Sequence, residues 1–273
     1  MSVGCFCMHS KLTSRVYNFS DYIKMAEVVT YANKSFGLFE ELVHNKFDVP
    51  VKVLGWGRPW NGYSDKSKGL LEYINESKND DDLIIFVDGF DSKINKDPKD
   101  VQAIFESYGC KVLFSKDPES FSKTVTRAIF PTCYDGVANA GMYAGYAKYL
   151  KIILEDELSR TCQDDQVNFN DMICNSYDFI KVDEEQKLFE NIATTNHGKK
   201  SNAIFVSYPA TLGFKRAFRS VIEYLQYLYV YIALFIFLLF PFPVTASVLA
   251  VVFGLFYIFF ADKSCATYKA GTH

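Results

Sequence analysis

Leu83-Ile84-Ile85-Phe86-Val87-Asp88-Gly89-Phe90-Asp91 is the stretch on which the fold turns. Five apolar residues in a row, mostly branched or aromatic, predict a strand buried on both faces of a parallel sheet. Two carboxylates, three apart with a glycine between them, close the strand. In open α/β sheets, ligands bind outside the carboxyl ends of the strands. Hard oxygen donors placed there suit Mg²⁺ or Mn²⁺ carrying a substrate phosphate. A solvated polar turn is the competing reading, and an isolated pair divides about evenly between the two.

On both sides of this stretch the chain alternates strand and helix patterns. Glu27 to Tyr31 reads as a first strand, and Ser35 to Phe47 as a helix with Phe36, Phe39, Leu42 and Val43 at helical spacing. Val51 to Trp56 is a second strand running into a Gly- and Pro-rich loop. Lys66 to Ser77 is a helix, Asp100 to Tyr108 another, and Lys111 to Ser115 a fourth strand. This βαβαβαβ order predicts an α/β domain with a doubly wound, mostly parallel sheet.

With 273 residues the chain has room for one such domain and an appendage. A net charge of -3 excludes a global basic footprint, so no nucleic-acid partner is expected. The seven cysteines (Cys5, Cys7, Cys110, Cys133, Cys162, Cys174 and Cys265) form no CxxC pair and read as reduced, structural thiols of a cytosolic protein. The N-terminus lacks the basic start and long apolar core of a signal peptide. Asn18, Asn33 and Asn75 each begin an Asn-x-Ser sequon, which carries meaning only in a secretory lumen.

From Leu225 to Phe260 runs an almost unbroken apolar stretch, interrupted at Pro241-Phe242-Pro243. As one straight helix it would be roughly 54 Å long, against a hydrocarbon core of about 30 Å. The prolines mark a bend, so a transmembrane or re-entrant helical hairpin is expected. A buried core hairpin is less favoured, because no polar face appears. Basic residues flank the stretch (Lys215, Arg216 and Arg219 before, Lys263 and Lys269 after), which favours cytosolic placement of both flanks. The expected organisation is an N-terminal extension (1–24), the α/β domain (25–213), a basic juxtamembrane segment (214–224), the hairpin (225–260) and a tail (261–273).

The domain holds further candidates for ligand contact. Thr30-Tyr31-Ala32-Asn33 ends the first strand and offers an aromatic and small polar groups to a base and ribose. The loop Gly55 to Tyr63 holds both tryptophans of the chain, Trp56 and Trp60, placed to stack on a base or sugar. Lys66 and Lys68 follow, where a lysine can meet a diphosphate, although an ordinary solvated helix face explains them equally well.

Taken in order, these segments resemble a family. The second strand and its loop, the DxxD turn, Asn139-Ala140-Gly141 with Gly145-Tyr146, Asp164-Asp165-Gln166, Leu188-Phe189-Glu190-Asn191 and His197-Gly198 follow one another as in the glycosyltransferase domain of procollagen lysyl hydroxylases and procollagen galactosyltransferases. The resemblance spans roughly Ala26 to Ser207. It implies a GT-A fold, a UDP-sugar donor and Mn²⁺. It further implies Asp88, Asp91 and His197 as metal ligands, an imidazole with two carboxylates suiting Mn²⁺. Thr30, Trp60, Lys68, Phe90, Asn139, Gly141, Gly198 and Lys199 would hold the sugar nucleotide, with Asn139-Ala140-Gly141 as a tight turn beneath the sugar. Met142, where the family commonly has a second glycine, would alter that pocket. Asp164 and Asp165 match the acidic acceptor-side stretch and would act as general base, orient the acceptor or stabilise an oxocarbenium-like sugar. A helix N-cap is the plainer role for such aspartates.

Two functions follow. The first is a membrane-anchored, metal-dependent glycosyltransferase moving a hexose (glucose or galactose) from a UDP-sugar to a glycan, lipid-linked or protein acceptor. The second is a catalytically weak binding module whose hairpin anchors to or shapes a lipid bilayer. A metal-dependent nucleotidyltransferase ranks below both.

Overall fold

The structure is a computed structural model; it describes residues 26–118, 136–192 and 200–209, and positions 248, 249, 251, 252 and 255. The expected N-terminal extension, basic juxtamembrane segment and tail lie outside the described residues, as does most of the expected hairpin. Among the described residues, no helix is long and apolar enough to cross a membrane.

A six-stranded sheet forms the centre, in the order β2-β1-β3-β6-β5-β7. Its strands are β1 (Glu27–Tyr31), β2 (Val51–Leu54), β3 (Leu83–Asp88), β5 (Val112–Lys116), β6 (Ala138–Tyr146) and β7 (Ile180–Val182). β1 pairs in parallel with β2 and β3, and β5 pairs in parallel with β7. β6 lies antiparallel between β3 and β5. The mostly parallel α/β sheet expected for a GT-A-like fold is therefore present, with one reversed strand in its middle. A second sheet, in the order β4-β9-β8, joins β4 (Ser92–Ile94), β8 (Phe189–Asn191) and β9 (Phe205–Ser207).

β3 is apolar throughout because both its faces are covered. Ile84 and Phe86 join Val29, Phe114 and Tyr143 on one face. There they meet α2 (Ser64–Ser77), α4 (Ala147–Ser159) and α5 (Asp165–Asn175) through Leu70, Ile153 and Phe169. Ile85 and Val87 turn to the other face, against Leu42 of α1 (Phe39–Val43), Phe105 of α3 (Val101–Ser107) and Phe189 and Phe205 of the small sheet. The period of two along an extended chain produces this division. The rings of Phe86 and Phe114 each lie 5.0 Å from Tyr143, so aromatic contacts join β3, β6 and β5.

Local differences from the sequence reading have local causes. α1 is much shorter than Ser35 to Phe47. Asn45 stops it by donating to the carbonyls of Leu42 and Val49 and accepting from the Phe47 and Val49 amides. Asn139-Ala140-Gly141 is not a free turn but part of β6. Its register against β5 breaks, however: Phe114 faces Tyr143 while Ser115 faces Asn139. Met142 is fully buried in the core of the α1 face.

The cysteines depart most from expectation. Cys162 and Cys174 are disulfide-bonded, so the expectation of reduced thiols fails at these two positions. Cys110 is a buried free thiol whose pKa burial pushes up to about 11, as befits an inert core residue.

Candidate active site

The carboxyl ends of β1, β3 and β5 and the start of α5 gather the polar residues of the domain. β3 delivers Asp88, half-buried, and the turn after it delivers Asp91, which is buried. The Phe90 amide donates to Asp88 Oδ1 at 3.2 Å, and the Ser207 hydroxyl donates to Asp91 Oδ1 at 3.0 Å. The small sheet therefore fixes Asp91 while the main sheet fixes Asp88. Gly89 is required between them: a Cβ there would stand 2.9 Å from Thr30 Oγ1 and 3.0 Å from the Tyr31 carbonyl oxygen. A solvated turn does not describe a pair one of whose members is buried.

The cation of the site is Lys66. Its ammonium lies 2.7 Å from Asp165 Oδ2, with both side chains buried. Burial opposes its charge, but Asp165 and Asp88 together hold its pKa well above the ordinary lysine value. Lys66 is therefore paired with the acid at the start of α5 and feels the charge of the acid at the end of β3. Lys68, two residues on, is exposed on the outer face of α2. Of the two lysines, Lys66 is buried and Lys68 faces solvent.

Asp164 and Asp165 divide their roles. Asp164 Oδ1 accepts from the Gln166 and Val167 amides at 3.0 and 3.2 Å, capping α5. Behind Asp165 sits Glu157, buried on α4, with Asn168 Nδ2 3.5 Å from its Oε1. Burial and the neighbouring Asp165 raise its pKa.

Asp117, just past β5, is a site residue that the sequence reading passed over. It accepts from Asn139 Nδ2 at 2.9 Å, while Asn139 Oδ1 accepts from the Gly141 amide at 2.8 Å. The rule that selected Asp88, a carboxylate at the carboxyl end of a strand, also selects Asp117. Burial pushes its pKa up to about 6, partly opposed by hydrogen bonds from Asn139 and Gln166. Asp117 thus orients Asn139, and Asn139 holds the backbone at Gly141, where a Cβ would come 3.8 Å from Asp88 Cβ.

Residues 20–207 match the PLOD GT domain family. The chain belongs to this family. Similar curated proteins include procollagen-lysine,2-oxoglutarate 5-dioxygenase of Drosophila melanogaster, 26% identical over 201 residues (68% of this chain, 27% of that protein). Another is the multifunctional procollagen lysine hydroxylase and glycosyltransferase of Caenorhabditis elegans, 28% identical over 185 residues (60% of this chain, 25% of that protein). A third is procollagen-lysine,2-oxoglutarate 5-dioxygenase 2 of Homo sapiens, 25% identical over 182 residues (60% of this chain, 25% of that protein). The chain thus spans about a quarter of the length of these relatives.

Set within a PLOD GT domain, the other candidates sort as follows. Thr30 is fully buried and donates to the Val87 carbonyl at 2.7 Å, so its side chain ties β1 to β3. Tyr31 is likewise buried. Gly55, at φ +75°, is forced by it, since a Cβ would fall 2.3 Å from the ring. Trp60 rests 5.9 Å from the Tyr31 ring and stays exposed. Phe90 is half-buried and meets Phe36 edge-on at 5.8 Å. His197, Gly198 and Lys199 lie outside the described residues, and among the described residues no three His, Cys, Asp or Glu side chains gather as a metal site. Asp88 and Asp91 by donor chemistry fit two corners of a hard divalent cation, with a third ligand to come from elsewhere.

Proposed function

We propose that this chain is a membrane-anchored, Mn²⁺-dependent glycosyltransferase. It transfers a hexose, glucose or galactose, from a UDP-sugar to a glycan, lipid-linked or protein acceptor. The observation that carries the reading is the pair Asp88 and Asp91 at the carboxyl end of β3, the first half-buried and the second buried, on the edge that also holds the buried Lys66–Asp165 ion pair. Carboxylates at the carboxyl edge of a sheet suit a hard divalent cation, and such a cation would share the charge of a diphosphate. Asp88 and Asp91, with His197 as the candidate third ligand, would hold the Mn²⁺. When bound, the ion neutralises the diphosphate as the UDP departs. Lys66 holds Asp165 at the acceptor side, and Asp117 with Asn139 keeps the backbone at Gly141 shaped for the sugar. Asp164 serves the helix and not the chemistry.

The test is thermal stability with UDP and Mn²⁺ added singly and together, since a ligand that binds only the folded state raises the melting temperature. The expected result is a rise requiring both; no shift with any nucleotide would sink the reading. UDP release across UDP-glucose, UDP-galactose and other donors then names the sugar.

The disulfides support a domain held in an oxidising lumen. The basic flanks favour the cytosolic side, but that is a statistical bias, whereas cytosolic reductants remove disulfides. A luminal domain gives the sequons meaning. Asn75 is exposed in the last turn of α2 and is expected to carry a glycan. Asn33 donates to the Arg58 carbonyl at 3.2 Å within the tryptophan loop and is expected to stay bare. Enzymatic deglycosylation followed by peptide mass analysis distinguishes these outcomes. An unmodified Asn75 together with alkylatable Cys162 and Cys174 would return the domain to the cytosol.

A further inference from the structure

We propose that Glu157 is a positioning residue: a buried acid that keeps its proton, donates it to Asn168, and so leaves Asp165 as the one anion paired with Lys66. The proposal rests on the reading of Asp165 as the acceptor-side carboxylate and goes beyond it by assigning a second acid to its support.

The first observation is a pair of atoms without donors. Glu157 is 2% exposed and Asn168 is fully buried. Glu157 Oε2 and Asn168 Oδ1 are both buried, and neither has a hydrogen-bond partner. The other polar atoms of the two side chains are engaged. Asn168 Nδ2 donates to the Cys162 carbonyl at 2.9 Å and lies 3.5 Å from Glu157 Oε1. The Ser67 side chain hydrogen-bonds the same carboxyl group. A buried acceptor left unpaired costs its desolvation, and native interiors rarely hold two on adjoining groups. An ionised carboxylate offers acceptors only, whereas a protonated one gains an O–H donor. One proton on Oε2, directed at Asn168 Oδ1, satisfies both atoms at once.

The second observation is the balance of charge. Three elements close on Glu157: α2 brings Lys66, α5 brings Asp165 and β6 brings Tyr143. Lys66 and Asp165 stand 2.7 Å apart and cancel. Burial, with Asp165 and Glu157, raises the Tyr143 pKa well above the ordinary phenol value, so its hydroxyl stays neutral. A Glu157 anion would be a buried charge with no counter-ion of its own. Burial first, and then Asp165, raise its pKa against the pull of Ser67, Asn168 and Lys66. Ionised, Glu157 competes with Asp165 for the single ammonium and loosens the acceptor-side carboxylate. Protonated, it leaves the ion pair one geometry.

The test compares the full chain with Glu157→Gln, whose amide is a neutral donor of the same shape. In the infrared difference between the two, the carbonyl band of a protonated carboxylic acid is expected. It should persist well above pH 4.5, the ordinary glutamate value. A difference band that titrates at or below that value overturns the proposal. Transfer is then followed against pH. As the acid band fades with rising pH, wild-type kcat should fall several-fold with the donor KM unchanged, while Glu157→Gln loses nothing on that limb. Parallel profiles, or a folded Glu157→Gln inactive at every pH, overturn the proposal. Glu157→Met, apolar and similar in length, is the second variant and should show the same flat limb. Failure of both variants to fold also overturns it, since a neutral side chain is then not what the interior takes. Thermal stabilisation by UDP and Mn²⁺ separates the two readings. Stabilisation without the acid band sinks the Glu157 assignment alone, and the band without stabilisation sinks the transferase alone.

Discussion

The domain has two acidic pairs, and they are built differently. In Asp88 and Asp91, the half-buried member ends a central strand and the buried member is hydrogen-bonded to Ser207 of a second sheet. In Asp164 and Asp165, adjacent residues part company: one caps a helix, and the other is locked to Lys66. The first pair is assembled by tertiary structure, each carboxylate being held by a different sheet. The second is split by helix geometry, because an N-cap residue and its N1 neighbour face different ways. Two neighbouring acids in a sequence are therefore not evidence of two acids in one site.

Mutations can break this comparison. The largest effect is expected for Asp91→Ala. Transfer and Mn²⁺-dependent UDP binding should both disappear, and binding calorimetry with and without Mn²⁺ checks it. Loss of turnover with full metal-dependent binding would show that Asp91 is only a strut. Next comes Lys66→Met, which strands Asp165 in the interior and should cost about 3–5 kcal/mol in urea unfolding. Lys66→Met combined with Asp165→Leu should recover much of that stability but no activity.

Asp117→Asn sharpens the contrast through pH. Folding raises the pKa of Asp117 from 3.8 to about 6. Its stabilising contribution is present below the unfolded value and is lost as pH rises through about 6. The asparagine variant should therefore gain on the wild type above that pH, by up to about 3 kcal/mol. Equal pH profiles from pH 4 to 8 would contradict the raised pKa of Asp117. Asp164→Ala should cost about 1 kcal/mol with kcat nearly intact, and Asp164→Asn should restore it. A large kcat loss in both variants would return Asp164 to the chemistry. Smallest is Lys68→Ala, expected within about 0.5 kcal/mol of the wild type and without effect on UDP affinity.

What the sequence disclosed follows physical lines. β3 was legible because its burial on both faces demands an unbroken apolar run, and its carboxyl end marked Asp88 and Asp91. β1 was legible from its β-branched Val28-Val29-Thr30 and the aromatic that follows. β6 was not, since Ala138-Asn139-Ala140-Gly141 has the small and polar residues of a turn, and only pairing with β3 and β5 makes it a strand. Lys66 and Lys68 are equal as residue types; helical phase alone separates them, two residues turning the chain by about 200°. Asp117 was findable by the rule already applied to Asp88. Glu157 was also visible, as a charge in line with Leu150, Ile153 and Leu154 on the buried face of α4.

Cys162 and Cys174 bracket α5, one just before its cap and the other in its last turn, and both are disulfide-bonded. The helix that presents Asp165 is therefore stapled near each end. The address of that carboxylate, and with it the partner of Lys66, becomes a property of the solvent's redox potential as much as of the fold. Mild reductant should thus act on this protein as a brake on transfer before it acts as a denaturant, with activity fading while the β-sheet circular dichroism persists.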